Sequence, residues 1–151
     1  MAELRAVCAE LGYDGVRTFI ASGNVVFQSR VPRAAELERA IAERFGVETV
    51  VILRTSAQLA TLAGTAPFGR RTPDCYVAFL ASAPARAGFE ALSTSDFPDE
   101  AWVRAGPDLA LLYPDAFHRA QLTGARLERL LGVLATMRNW RTVTKLAELA
   151  S

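Results

Sequence analysis

The stretch "ATMRNWRTVTKL", residues 135–146, carries Arg138, Arg141 and Lys145 beside Asn139 and Trp140, with no acidic residue among them. Asn is a strong helix N-cap, and with Asn139 in that role Trp140, Val143, Ala147 and Ala150 fall on one face at spacings of three and four. A helix start exposes unpaired N–H groups and partial positive charge. The Arg138 and Arg141 guanidinium groups, with the Thr136 and Asn139 side chains, would add donors there, and the ligand such a set suits is a phosphate or carboxylate. The same periodicity puts Arg138, Arg141, Lys145 and Glu148 on the opposite face, where a solvated charged stripe is the plain structural use. In both uses the segment begins a helix.

A second polar cluster is Ser22-Gly23-Asn24, read as a hairpin turn in which Gly and Asn accept the left-handed backbone. A turn can also present N–H groups and an amide to a ligand. The expected ligand-binding set is therefore Arg138, Asn139 and Arg141 with Ser22 and Asn24, the arginines pairing with charge and the Asn and Ser side chains hydrogen-bonding. Whether the hairpin and the last helix meet is left open by the sequence.

Other constellations carry less. Asp115 and His118 are spaced so that a carboxylate could orient an imidazole as a general base, but no nucleophile accompanies them. Asp96, Asp99 and Glu100 in "TSDFPDE" are carboxylates suited to a hard cation, in a segment whose proline and irregular spacing read as a solvated turn. Arg70-Arg71 is a small positive spot in a loop. The single histidine, and two cysteines at positions 8 and 75, offer no zinc spacing. No cofactor or metal is expected, and no complete catalytic signature is present.

The bulk composition narrows the classes. The hydrophobic fraction of 51% against 22% charged residues supplies a sizeable core. Net charge is +1, with sixteen of the seventeen basic residues arginine and spread along the chain. That balance argues against a dedicated nucleic-acid binder, which needs a basic stripe. Tyr76, Phe79, Phe27 and Phe19 read as core rather than as an RNA-stacking platform. Early charges at Glu3, Arg5 and Glu10 speak against a signal peptide, and no apolar run nears the roughly 20 residues of a membrane span. Two buried thiols in a reducing, cytoplasmic setting are expected rather than a disulfide.

The elements that would position these residues follow from periodicity. Leu4, Val7, Cys8 and Leu11 predict a helix stopped by Gly12. Residues 16–21 and 25–29 predict a hairpin, and residues 34–45 a helix with Leu37, Ile41 and Phe45 on one face, ended by Gly46. "VETVVILRT" predicts a buried strand, and Ser56 the cap of a short helix through Leu62. "GTAPFGRRTPD" is a Gly- and Pro-rich loop. Beyond it come a strand in "CYVAFLA", a helix in "ARAGFEAL", and a hairpin turning at Gly106-Pro107. A helix opened by Thr123 or Gly124 and running to Leu131, and a last helix from about Asn139 to Ala150, close the chain. The order is αββαβ followed by βαββα, each one strand short of the βαββαβ split unit. The fold class expected is α+β: two ferredoxin-like halves, residues 1–64 and 74–151, joined by a loop at 65–73 and packed as one unit.

"MAELRA…LG", "RTFIASGNVVFQS", "APFG" and "LERLLG…ATMRNWRTVTKLAEL" resemble the bacterial family known as domain of unknown function 1697, over nearly the whole chain. The resemblance implies an α+β fold of ferredoxin-like halves and implies no activity. Members of the family usually begin with a strand and a Gly-rich loop ahead of the first helix, which this chain lacks. The resemblance thus implies a first half without its opening strand, a start upstream of Met1 or a fragment, or a gap in the sheet filled by another chain in a homo-oligomer. The missing loop would have lain beside Ser22, Gly23 and Asn24.

The functional expectation is a small anionic-ligand binding module. An accessory protein that binds nucleic acid, an enzyme of unknown reaction and an interaction scaffold using the open sheet position are the alternatives.

Overall fold

A computed structural model describes residues 1–20, 23–97, 100–113 and 119–151 of the 151-residue chain. The class is α+β, as expected. The N-terminal part holds α1 (Ala2–Glu10), the antiparallel hairpin β1 (Asp14–Phe19) and β2 (Asn24–Gln28), α2 (Ala34–Phe45) and α3 (Ser56–Ala63). The C-terminal part holds β3 (Cys75–Leu80), α4 (Arg86–Thr94), β4 (Ala101–Ala105), β5 (Asp108–Leu112), α5 (Gly124–Leu131), β6 (Ala135–Asn139) and α6 (Trp140–Ala150). A 3-10 turn at Gly69–Asp74 lies in the loop that joins the two parts.

Most termini obey local rules. Gly46 and Gly132 end α2 and α5 in the left-handed conformation that glycine adopts without strain. Thr55, not Ser56, caps α3: its side chain accepts from the Gln58 N–H, and Gln58 reaches back to the Thr55 N–H in a capping box. Thr123 caps α5 through the Arg126 N–H. Gly88 permits a close helix crossing, since a Cβ there would lie 2.7 Å from the Leu131 carbonyl oxygen of α5.

Two expected elements are corrected. Residues 135–139, expected to lead straight into a helix, form β6, which pairs antiparallel with β3 from Tyr76↔Asn139 to Leu80↔Ala135. The C-terminal part therefore runs βαββαβ, and its antiparallel sheet has the order β4-β5-β3-β6. Conversely, the strand expected in "VETVVILRT" does not form. Residues 51–54 are half-buried, and their side chains alternate as in a strand. Val51 and Leu53 pack with Val25 and Phe27 of β2, whereas Ile52 packs with Val26 and Phe19 on the other side. What is missing is a ladder partner among the described residues, because a β-branched run fixes an extended backbone but cannot supply its own hydrogen bonds. The Val51 N–H goes instead to the Glu38 carboxylate at 2.8 Å. Phe45, expected on the inner face of α2, is exposed.

Three apolar clusters layer the molecule. The first lies between the four-stranded sheet and α4 with α5, around Leu92, Leu109, Leu111, Leu122 and Leu127. Cys75, Val77 and Phe79 on the other face of that sheet meet Leu59 and Leu62 of α3 and Trp140, Val143 and Leu146 of α6. Phe19 and Val26 of the hairpin join this second cluster, so α6 packs between the two sheets. Cys8, Tyr13 and Leu37 form the third beneath α1 and α2, with Tyr13 stacked on Phe27 at 4.4 Å between ring centroids.

Candidate functional site

The last strand and the last helix are continuous. Asn139 closes β6 and opens α6, and its side-chain oxygen accepts from the Thr142 N–H at 2.9 Å. Its amide is thus committed to capping, as the sequence predicts. Trp140 follows with only 8% of its surface exposed, which places the indole in the core as expected. Arg141, one residue further, is exposed, and its side chain enters no ion pair or hydrogen bond among the described residues. Further along the charged face, Lys145 pairs with Glu148 at 2.8 Å.

Arg138 departs from the solvated stripe on which the helical spacing would place it. Because it sits in a strand, it shares a face with Thr136, two residues back, and turns into the seam between the two parts. Its Nε donates to Oδ1 of Asn24 at 2.7 Å, and one terminal nitrogen donates to the Thr136 hydroxyl at 2.6 Å and to the Met137 carbonyl at 2.8 Å. These three acceptors are neutral, and together they fix the direction of the guanidinium. Burial lowers the Arg138 pKa from its ordinary value, since a cation withdrawn from water is disfavoured. Thr136 acts here as an acceptor rather than the donor that its place in the sequence suggested.

Asn24 is the meeting point. It is not a turn residue but the first residue of β2, paired with Phe19 and only 9% exposed. Its Nδ2 donates to the Phe19 carbonyl at 3.3 Å, which turns Oδ1 toward Arg138. Gly23 beside it has φ of +78°, the conformation that suits glycine. Ile20 takes φ of +50°, unusual for a β-branched residue, and is half exposed. A second tie, from the Arg17 guanidinium to the Leu149 carbonyl at 2.5 Å, fastens the hairpin to the far end of α6.

The structure thus joins Asn24 to Arg138 and places Asn139 and Arg141 just beyond, at the start of α6. Ser22 lies outside the described residues, as do Asp99, Asp115 and His118. Glu100 is engaged structurally, accepting the Gln121 and Leu122 N–H groups at 2.5 and 2.7 Å, and Asp96 is exposed. No group of three or more His, Cys, Asp or Glu suited to a metal occurs among the described residues. Cys8 and Cys75 are both buried and unlinked. An open groove of about 500 Å³ lies elsewhere, along α4 and β4, lined by Pro84, Arg86, Phe89, Glu90 and Arg104 and by none of the expected ligand-binding residues.

The most buried ion pair among the described residues is one that the sequence did not suggest. Arg54, at the end of the extended segment, makes a two-point ion pair with Asp108 at the start of β5, with Nε to Oδ2 at 2.8 Å and a second contact to Oδ1. Asp108 also accepts from the Leu80 N–H at 2.9 Å, and Arg54 donates to the carbonyls of Leu53 and Leu80.

The family Protein of unknown function (DUF1697) matches residues 1–109. The chain belongs to this family. The matched span ends before "TMRNWRTV", so the polar strand-to-helix junction lies outside it. A solved structure of a conserved bacterial protein from Streptococcus pneumoniae is similar at a TM-score of 0.73 and 20% identity, over 99% of this chain and 88% of that one. At that identity the likeness concerns the fold, which extends through β6 and α6 where the family match does not. No curated protein matches the chain. No helix among the described residues is long and apolar enough to cross a membrane.

Proposed function

We propose that the junction of β6 and α6 binds a small anion, a phosphate or carboxylate, as part of a ligand-binding module. The observation that carries the reading is the hydrogen bond between Arg138 and Asn24, which gathers residues 114 positions apart into one polar cluster at the seam. Asn24, Thr136 and the Met137 carbonyl hold the Arg138 guanidinium in a fixed direction, and the start of α6, with exposed Arg141, lies next to it. Asn139 serves this site by shaping the helix start, its own oxygen being used on Thr142. Asn24, and Ser22 beside it in sequence, complete the proposed set. In this reading an arriving anion gains charge pairing from the arginines and N–H donors from the first turn of α6.

The accompanying reading of the architecture is that residues 1–64 and 74–151 are two ferredoxin-like halves joined through 65–73. The βαββαβ order after residue 74 supports it, as does the α1-β1-β2-α2 order before, which repeats α4-β4-β5-α5.

The test is a thermal-shift titration with inorganic phosphate, a panel of phosphate and carboxylate metabolites and short oligonucleotides, run on the wild type, Arg141→Ala and Arg138→Lys. Free ligand at about 100 times its dissociation constant stabilises the folded state by about 2.7 kcal/mol, a shift of several degrees for a chain of this size. The expected result is a shift with a small anion in the wild type that shrinks in both variants. Equal shifts in all three proteins would remove the site from this junction, and a shift with oligonucleotides alone would favour nucleic-acid binding.

A further inference from the structure

We draw no further inference here: the strongest candidate, the edge of β2 that has no ladder partner among the described residues, together with the extended residues 51–54 that feed the same two apolar clusters, carries nothing because nothing in the structure shows what covers it.

Discussion

Arg54 and Asp108 clamp the extended segment of the N-terminal part onto the tip of the β4–β5 hairpin, through two guanidinium–carboxylate contacts that are nearly closed to solvent. Asp108 is 3% exposed and the Arg54 side chain 14%, so water cannot compensate for the loss of either. Breaking a buried pair by removing one partner leaves an uncompensated charge and costs about 3–5 kcal/mol. Asp108→Ala is expected to lose that much in urea denaturation, with the Leu80 N–H orphaned as well. Arg86→Ala, which removes an exposed pair with Glu90, should change stability by under about 1 kcal/mol. Equal effects of the two substitutions would show that the clamp is open in solution.

Asn24 and Arg138 should be energetically coupled. A hydrogen bond to a charged group contributes about 1.5–3 kcal/mol, and leaving a half-buried guanidinium short of an acceptor adds desolvation cost. In a double-mutant cycle of Asn24→Ala and Arg138→Met, the double variant should be more stable than the sum of single losses predicts, by at least about 1 kcal/mol. Strict additivity would mean that the 2.7 Å contact contributes nothing.

The buried thiols set an alkaline limit. Burial raises the Cys75 pKa from 9.0 to about 11 and also raises that of Cys8. A thiol whose folded pKa lies above its unfolded value favours the folded state fully below the unfolded pKa. That contribution is lost as pH climbs through the folded value. Stability measured by denaturation should therefore decline between about pH 9 and pH 11, and Cys75→Ala should flatten the decline. In the native protein near pH 8, both thiols should resist Ellman's reagent until denaturant is added. Rapid labelling of two thiols without denaturant would contradict their burial.

Residues 52–54 carry no backbone hydrogen bond from their N–H groups among the described residues, whereas Tyr76, Val77 and Ala78 are paired with both β5 and β6. Amide hydrogen exchange should be faster at Ile52 and Leu53 than at Val77 and Ala78 by orders of magnitude. Val51 should be slower than its neighbours because Glu38 takes its N–H, and Glu38→Ala should erase that difference. Uniform protection across 51–54 would reveal a ladder partner.

Much of the local structure was legible because its causes are local. The range of α2, the glycine stop at Gly46, the Thr123 and Asn139 caps and the hairpin turning at Gly106-Pro107 each depend on residues within a few positions. The inward face of Trp140 and Val143 was readable from helical spacing for the same reason. By contrast, the alternation of Ala135 and Met137 with Thr136 and Arg138 in "ATMRN" is too short to mark a strand by itself; the segment becomes one because β3 offers an edge beside it. "VILR" shows strong strand preference and has no ladder partner among the described residues. Ladder hydrogen bonds need a neighbour, and the neighbour is not written in either segment.

The sequence alone determined most of the helical stretches, the burial of both thiols and of Trp140, and that the class is α+β. Only the tertiary structure decided that Arg138 leaves the solvated stripe for Asn24, and that Arg54 finds Asp108. Periodicity and capping report the chain's preferences over a few residues. A guanidinium's partner 54 or 114 positions away is selected by how the sheets and α6 pack, which no short window of residues encodes.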